Sequence, residues 1–165
     1  MTLTLSTRGL ALALIQLLIV AGIGGKLLVD RARLPRVWVE AAGYDPNLPI
    51  RGRYVSLSIG AEPGGDPPNA GFVFPVRLEV ADRHLVAVPA DDGAVHVTRA
   101  GLRGGAEEWR ILEPVLYFIP EHAADPLHRS PGEKLWIELS VPDDAAPRPI
   151  RLGVNRGGVV EALPE

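Results

Sequence analysis

The sequence predicts an all-β domain, a barrel or sandwich of about seven to eight short antiparallel strands, preceded by one N-terminal transmembrane helix. Three observations predict it. An apolar run from Leu10 to Val29 carries only Gln16 and Lys26 as strongly polar members. Beyond it, short stretches alternate apolar and polar residues, the two-residue period of strands with one buried face. Between them Gly, Pro, Asn and Asp cluster about every ten residues, as turns require.

The helix comes first. A helix rises about 1.5 Å per residue, so roughly 20 residues cross a hydrocarbon core about 30 Å thick. Leu10–Val29 meets that length, and Lys26 lies close enough to one end for its ammonium to reach the interface. Its glycines weaken a helix in water but are tolerated in membrane spans. A buried core helix would show a polar face, and this stretch has none. A cleaved signal peptide has a shorter apolar region, about 7–15 residues. Ala21, Gly22 and Gly24 offer a cleavage site, yet the length of the run favours a retained anchor. Residues 1–29 are thus read as an anchor that partitions into membrane lipid through Leu10–Val29. The flanking charges, Arg8 before the run against Lys26, Arg31, Arg33 and Arg36 after its midpoint, put the carboxyl-terminal side in the cytoplasm by the positive-inside rule alone.

Residues 30–50 read as a juxtamembrane connector. Trp38 and Tyr44 suit headgroup level, or Trp38 packs onto the domain as part of a first strand. Asp45-Pro46-Asn47-Leu48-Pro49 is a hinge, because proline fixes φ and disfavours helix before it. Residues 51–165 read as the β domain. Val55, Leu57 and Ile59 alternate with Tyr54, Ser56 and Ser58, and a Gly- and Pro-rich loop follows from Gly60 to Gly71. Strands at Phe72–Val80 and His84–Val88 turn at Asp82-Arg83, and Asp91-Asp92-Gly93 turns into a strand at Val95–Thr98. A second glycine-rich loop, Gly101–Ala106, precedes Trp109–Leu112. Val115–Ile119 is apolar at every position and reads as a central strand, and Glu121–Arg129 as a single helical turn. In Leu135–Val141 the apolar residues alternate with Trp136, Glu138 and Ser140, which places Glu138 toward solvent. Ile150–Val154 and Val159-Val160, joined by Asn155-Arg156-Gly157-Gly158, read as a terminal hairpin.

Composition excludes several chemistries. Residues 1–50 carry a net charge of +2 and residues 51–165 a net of −5. A mildly acidic domain with no basic stripe argues against nucleic acid as a partner. The chain has no cysteine, which removes disulfides, thiolate catalysis and Cys-ligated metals. No motif asks for a cofactor, and the Gly-rich loops lack the Lys-Ser/Thr that a phosphate cradle needs. Glu121, His122, Asp125 and His128 supply metal-capable groups in one loop, though at no recognisable ligand spacing, so no metal is expected. His84 and His96 read as exposed strand residues. A membrane-proximal hydrolase of the signal-peptidase kind needs a Ser/Lys pair, and the one lysine beyond the anchor, Lys134, reads as a turn residue. The acidic pairs Asp91/Asp92, Glu107/Glu108 and Asp143/Asp144 read as solvated turn-formers. No catalytic residue is expected, and the chain reads as a binding or assembly module rather than an enzyme.

Three blocks carry a resemblance. Asp45-Pro46 with Leu48-Pro49-Ile50-Arg51 leads into Gly52-Arg53-Tyr54-Val55-Ser56-Leu57-Ser58-Ile59. Tyr117-Phe118-Ile119-Pro120-Glu121-His122 is the second, and Leu135-Trp136-Ile137-Glu138-Leu139 with Arg148-Pro149-Ile150-Arg151-Leu152 the third. Together with the anchor they make the chain resemble, over nearly its whole length, the GDYXXLXY domain family of membrane-anchored bacterial proteins. Arg53 stands where the family has Asp, and Ile59 where it has the last Tyr. The resemblance implies one amino-terminal span, a domain on the extracytoplasmic side, no established activity, and a multi-spanning membrane protein as partner. It offers Arg51, Arg53, Tyr54, Glu121 and His122 as a candidate binding surface.

Overall fold

The computed structural model describes residues 7–44, 54–68, 71–103, 106–119, 126–127 and 129–163. The chain divides into two units, Met1–Leu34 and Pro35–Glu165.

The first unit is one helix, α1, Thr7–Arg33. Within it Gly9–Val29 has a mean hydropathy of 2.2 over 21 residues, about 31 Å of helix. Leu, Ile and Val project from every side of this stretch, and all are exposed. A helix apolar all round is unfavourable in water and suited to lipid, so α1 is long and apolar enough to be a membrane span.

The second unit is all-β. Its described residues hold ten strands: β1 Arg36–Tyr44, β2 Tyr54–Pro63, β3 Val73–Ala81, β4 His84–Pro89, β5 Val95–Arg103, β6 Ala106–Ile111, β7 Val115–Phe118, β8 Lys134–Ser140, β9 Arg148–Arg156 and β10 Val159–Ala162. The organising strand is β2, which belongs to two layers. Its first half pairs with β7 on one side and β1 on the other. The sheet continues through β8 and β9 to β10. Its second half meets β4 in a short parallel ladder, Glu62↔Val86 and Pro63↔Ala87, and β6 at Gly60↔Arg110 and Ala61↔Trp109. Those contacts close β2, β4, β3, β5 and β6 into a five-stranded barrel.

Side-chain alternation fills both interiors. Val76, Ala87, Val97 and Trp109 are wholly buried, and Phe74 meets Trp109 edge-to-face with centroids 4.9 Å apart. Leu57, Ile137 and Leu139 are equally inaccessible in the six-stranded sheet. The turns follow the expected chemistry. Gly157 and Gly158, at φ 64° and 95°, make the tight link between β9 and β10, and Asn155 Oδ1 accepts the Gly158 amide at 2.8 Å. Arg156 then ties this hairpin to Glu133 at 2.7 Å and Glu161 at 3.0 Å. Its hydrogen bond holds the Glu133 carboxyl below its ordinary range, and the same bond raises the guanidinium. At Gly93 a side chain would strike the backbone of Val76, so only glycine lets this turn lie against β3.

Five sequence expectations are corrected. Part of the stretch read as a connector, residues 30–50, is strand β1, and the β unit begins at Pro35 rather than 51. The reason is period-two burial, with Val37 and Ala41 buried inside and Trp38 and Glu40 on the opposite face. The Gly60–Gly71 loop loses its first residues to β2, and Gly101–Ala106 is largely ladder, with a bulge between Arg99 and Gly101. Strand β7 is not central: among the described residues it pairs only with β2, and Leu116 and Phe118 are exposed. Finally, Glu138 is on the outer face as expected but is only 7% exposed, covered by Arg151. The expected helical turn at 121–129 lies mostly outside the described residues.

Candidate functional site

Of the five residues expected to form a binding surface, Arg51, Arg53, Glu121 and His122 lie outside the described residues. Tyr54 is described, at the first position of β2 and half exposed. Its register partner is Phe118, the last residue of β7. The two rings meet edge-to-face at 5.4 Å, which suits the opposed charge of ring edge and ring face. Leu116, two residues back on β7, lies on the same face, because side chains two apart share a side of a strand. Tyr54, Leu116 and Phe118 are 51%, 57% and 55% exposed, an apolar corner of the sheet. Among the described residues no strand continues the ladder beyond β7.

A second feature was missed in the sequence. The outer face of the six-stranded sheet carries Trp38 and Glu40 on β1 and Trp136 and Glu138 on β8. The ladder pairs Trp38 with Glu138 and Glu40 with Trp136, so the two indoles sit on a diagonal. Gly153, opposite Trp136 on β9, has no side chain, and a Cβ there would press on the Trp38 ring. Arg151 lies over the Trp38 ring at 5.4 Å and donates to Glu138 at 2.6 Å. Lys134 donates to Glu40 at 3.1 Å. These pairs hold the side chains around the indoles in fixed positions.

The indoles form one wall of a groove of about 620 Å³, a size ordinary for small-molecule sites. The other wall comes from the barrel: Glu62 at the end of β2, Asp82 and Arg83 in the β3–β4 turn, His84 on β4 and Glu108 on β6. Gly60 matters here because a side chain at that position would collide with the Glu108 carboxylate. His84 Nδ1 and Glu62 Oε1 are 2.8 Å apart. The Trp136 indole N–H is buried with no acceptor among the described residues. The one signal in the sequence for this groove is that Trp136 occupies an outward position of β8.

The remaining candidates sit apart. His96 Nδ1 meets Glu113 at 3.0 Å, and the His96 amide donates to the same carboxylate at 3.1 Å. Burial pushes the Glu113 carboxyl up, but hydrogen bonds from its own backbone and from His96, with the His96 charge, bring it below its ordinary value. Beside this pair Val95, Ile111, Val115 and Pro149 line a smaller apolar cleft of about 260 Å³. Lys134 opens β8 instead of lying in a turn, and its carboxylate partner is Glu40. Among the described residues no cluster of three or more His, Asp or Glu is placed to hold a metal. Asp125 and His128, the other members of the suggested metal loop, lie outside the described residues.

Comparison with protein-family models, with curated proteins and with solved structures finds no match to this chain.

Proposed function

We propose that this protein is a membrane-tethered binding module. Its helix α1 spans the inner membrane and holds the β domain at the extracytoplasmic surface, where the domain docks on a loop of a multi-spanning membrane protein. The observation that carries the reading is the exposed apolar corner of Tyr54, Leu116 and Phe118 on the paired strands β2 and β7. Exposed aromatic and aliphatic side chains gathered on one face of two paired strands suit an apolar segment of a partner that packs across them. The apolar length of α1 supports tethering, which would raise the effective concentration of the domain toward partners in the same bilayer. The extracytoplasmic side and the membrane-protein partner rest on the resemblance to the GDYXXLXY family.

Photo-crosslinking in intact membranes tests the reading. A photoreactive residue replacing Leu116 or Phe118 should capture an integral membrane protein, identified by mass spectrometry. One replacing Asp92, exposed on the barrel, should not. Capture of the same protein from all three positions, or of none from Leu116 and Phe118, would contradict the proposed docking surface.

A further inference from the structure

We infer that the groove between the outer sheet face and the barrel is a binding site for a pyranose segment of an oligosaccharide. This site is separate from the β7 corner and does not depend on its role. Trp38 and Trp136 are half-buried and both line the groove, with Arg151 over one face of the Trp38 ring. The faces of indole rings carry negative quadrupole charge and attract the weakly positive C–H bonds on the flat side of a sugar ring. Charged groups of both signs line the groove, Arg36, Arg83 and His84 beside Glu40, Glu62, Asp82 and Glu108, and two of these acids are already held, Glu62 by His84 and Glu40 by Lys134. An anion or cation would need one sign to dominate the lining. A neutral polyol instead presents hydroxyls that both donate and accept, which matches a lining of both acids and bases.

The β3–β4 turn points the same way. Asp82 and Arg83 both adopt left-handed backbone, at φ 48° and 67°. Such turns favour Asn-Gly or Asp-Gly, and a long side chain there is strained. Arg83 stands where glycine would be most stable, and its side chain borders the groove. An arginine in strained backbone at the rim of the groove is placed to reach a ligand hydroxyl.

Tryptophan emission of the full chain in detergent, titrated with cellotetraose, chitotetraose and maltotetraose, tests this. Trp109 is fully buried inside the barrel, so a change reports Trp38 and Trp136. At least one glycan should give a saturable change. Arg83→Gly should weaken that binding about tenfold, as loss of one charged hydrogen bond implies, while its thermal midpoint stays at or above that of the parent. Trp136→Leu should abolish the change, and if that variant fails to fold, Arg83→Gly alone decides. No change with any of the three up to about 10 mM, beyond even weak specific affinity, would overturn the proposal. So would binding that Arg83→Gly leaves intact.

Discussion

Glu138 shows how a single side chain departs from a local pattern. Alternation along β8 places it outward, and outward it is, but the row Trp38–Glu138–Arg151 crosses three strands and covers it. Arg151 bonds the carboxylate at 2.6 Å and lies over the indole, so the acid is shielded by neighbours that period two cannot reveal. Glu138→Ala should therefore cost about 1–2 kcal/mol in chemical denaturation rather than the near-zero change of a free surface residue. A double-mutant cycle with Arg151→Ala should show coupling above about 0.5 kcal/mol, and independent effects would refute the pairing. Glu113 adds a pH-dependent contribution. Its folded carboxyl titrates below the ordinary 4.5, so the stabilisation is present above that value and is lost as pH falls through the lower folded value. Glu113→Gln should lose less stability than the parent between neutral and acid pH. An identical acid limb in the two proteins would show that the His96 contacts do not form in solution.

At the scale of elements, strands were legible where alternation and turn chemistry agreed. The strands β3, β4, β8 and β9 all have that pattern, and the Gly157-Gly158 link announces the last hairpin. Ile137 and Leu152, register partners and buried, should each cost about 2–5 kcal/mol when cut to alanine, as measured by urea unfolding of the β domain. Gly93→Ala should also destabilise, because the added methyl meets β3 backbone that cannot rotate away. Strand β1 was less legible because Val37-Trp38-Val39 reads as one apolar patch. Only the neighbouring ladders show that Trp38 faces away from Val37. Strand β7 misled in the opposite direction. Apolar residues at every position suggest burial on both sides, yet Leu116 and Phe118 face outward. A buried central strand and an exposed outer strand can share this composition, and register alone separates them.

For the whole molecule, composition and period were enough to foresee an apolar helix followed by an all-β unit, because each signal is local. The sharing of β2 between a sheet and a closed barrel was not foreseeable, since it depends on pairings between residues far apart in sequence, such as Ala61 with Trp109. The groove was hidden for the same reason: Trp38, Arg83 and Trp136 meet only through the β1–β8 ladder and the β3–β4 turn. The central claim is that α1 tethers the β domain to the outer side of the inner membrane. Its most direct test is protease added to bacterial spheroplasts that express the full chain with a tag at its carboxyl terminus. The account predicts that the tag and the domain are digested while a cytosolic control survives, and that a fragment containing Gly9–Val29 stays in the carbonate-washed membrane pellet. Survival of the domain until detergent is added would place it in the cytoplasm, as the charges flanking the helix would have it, and would contradict the account.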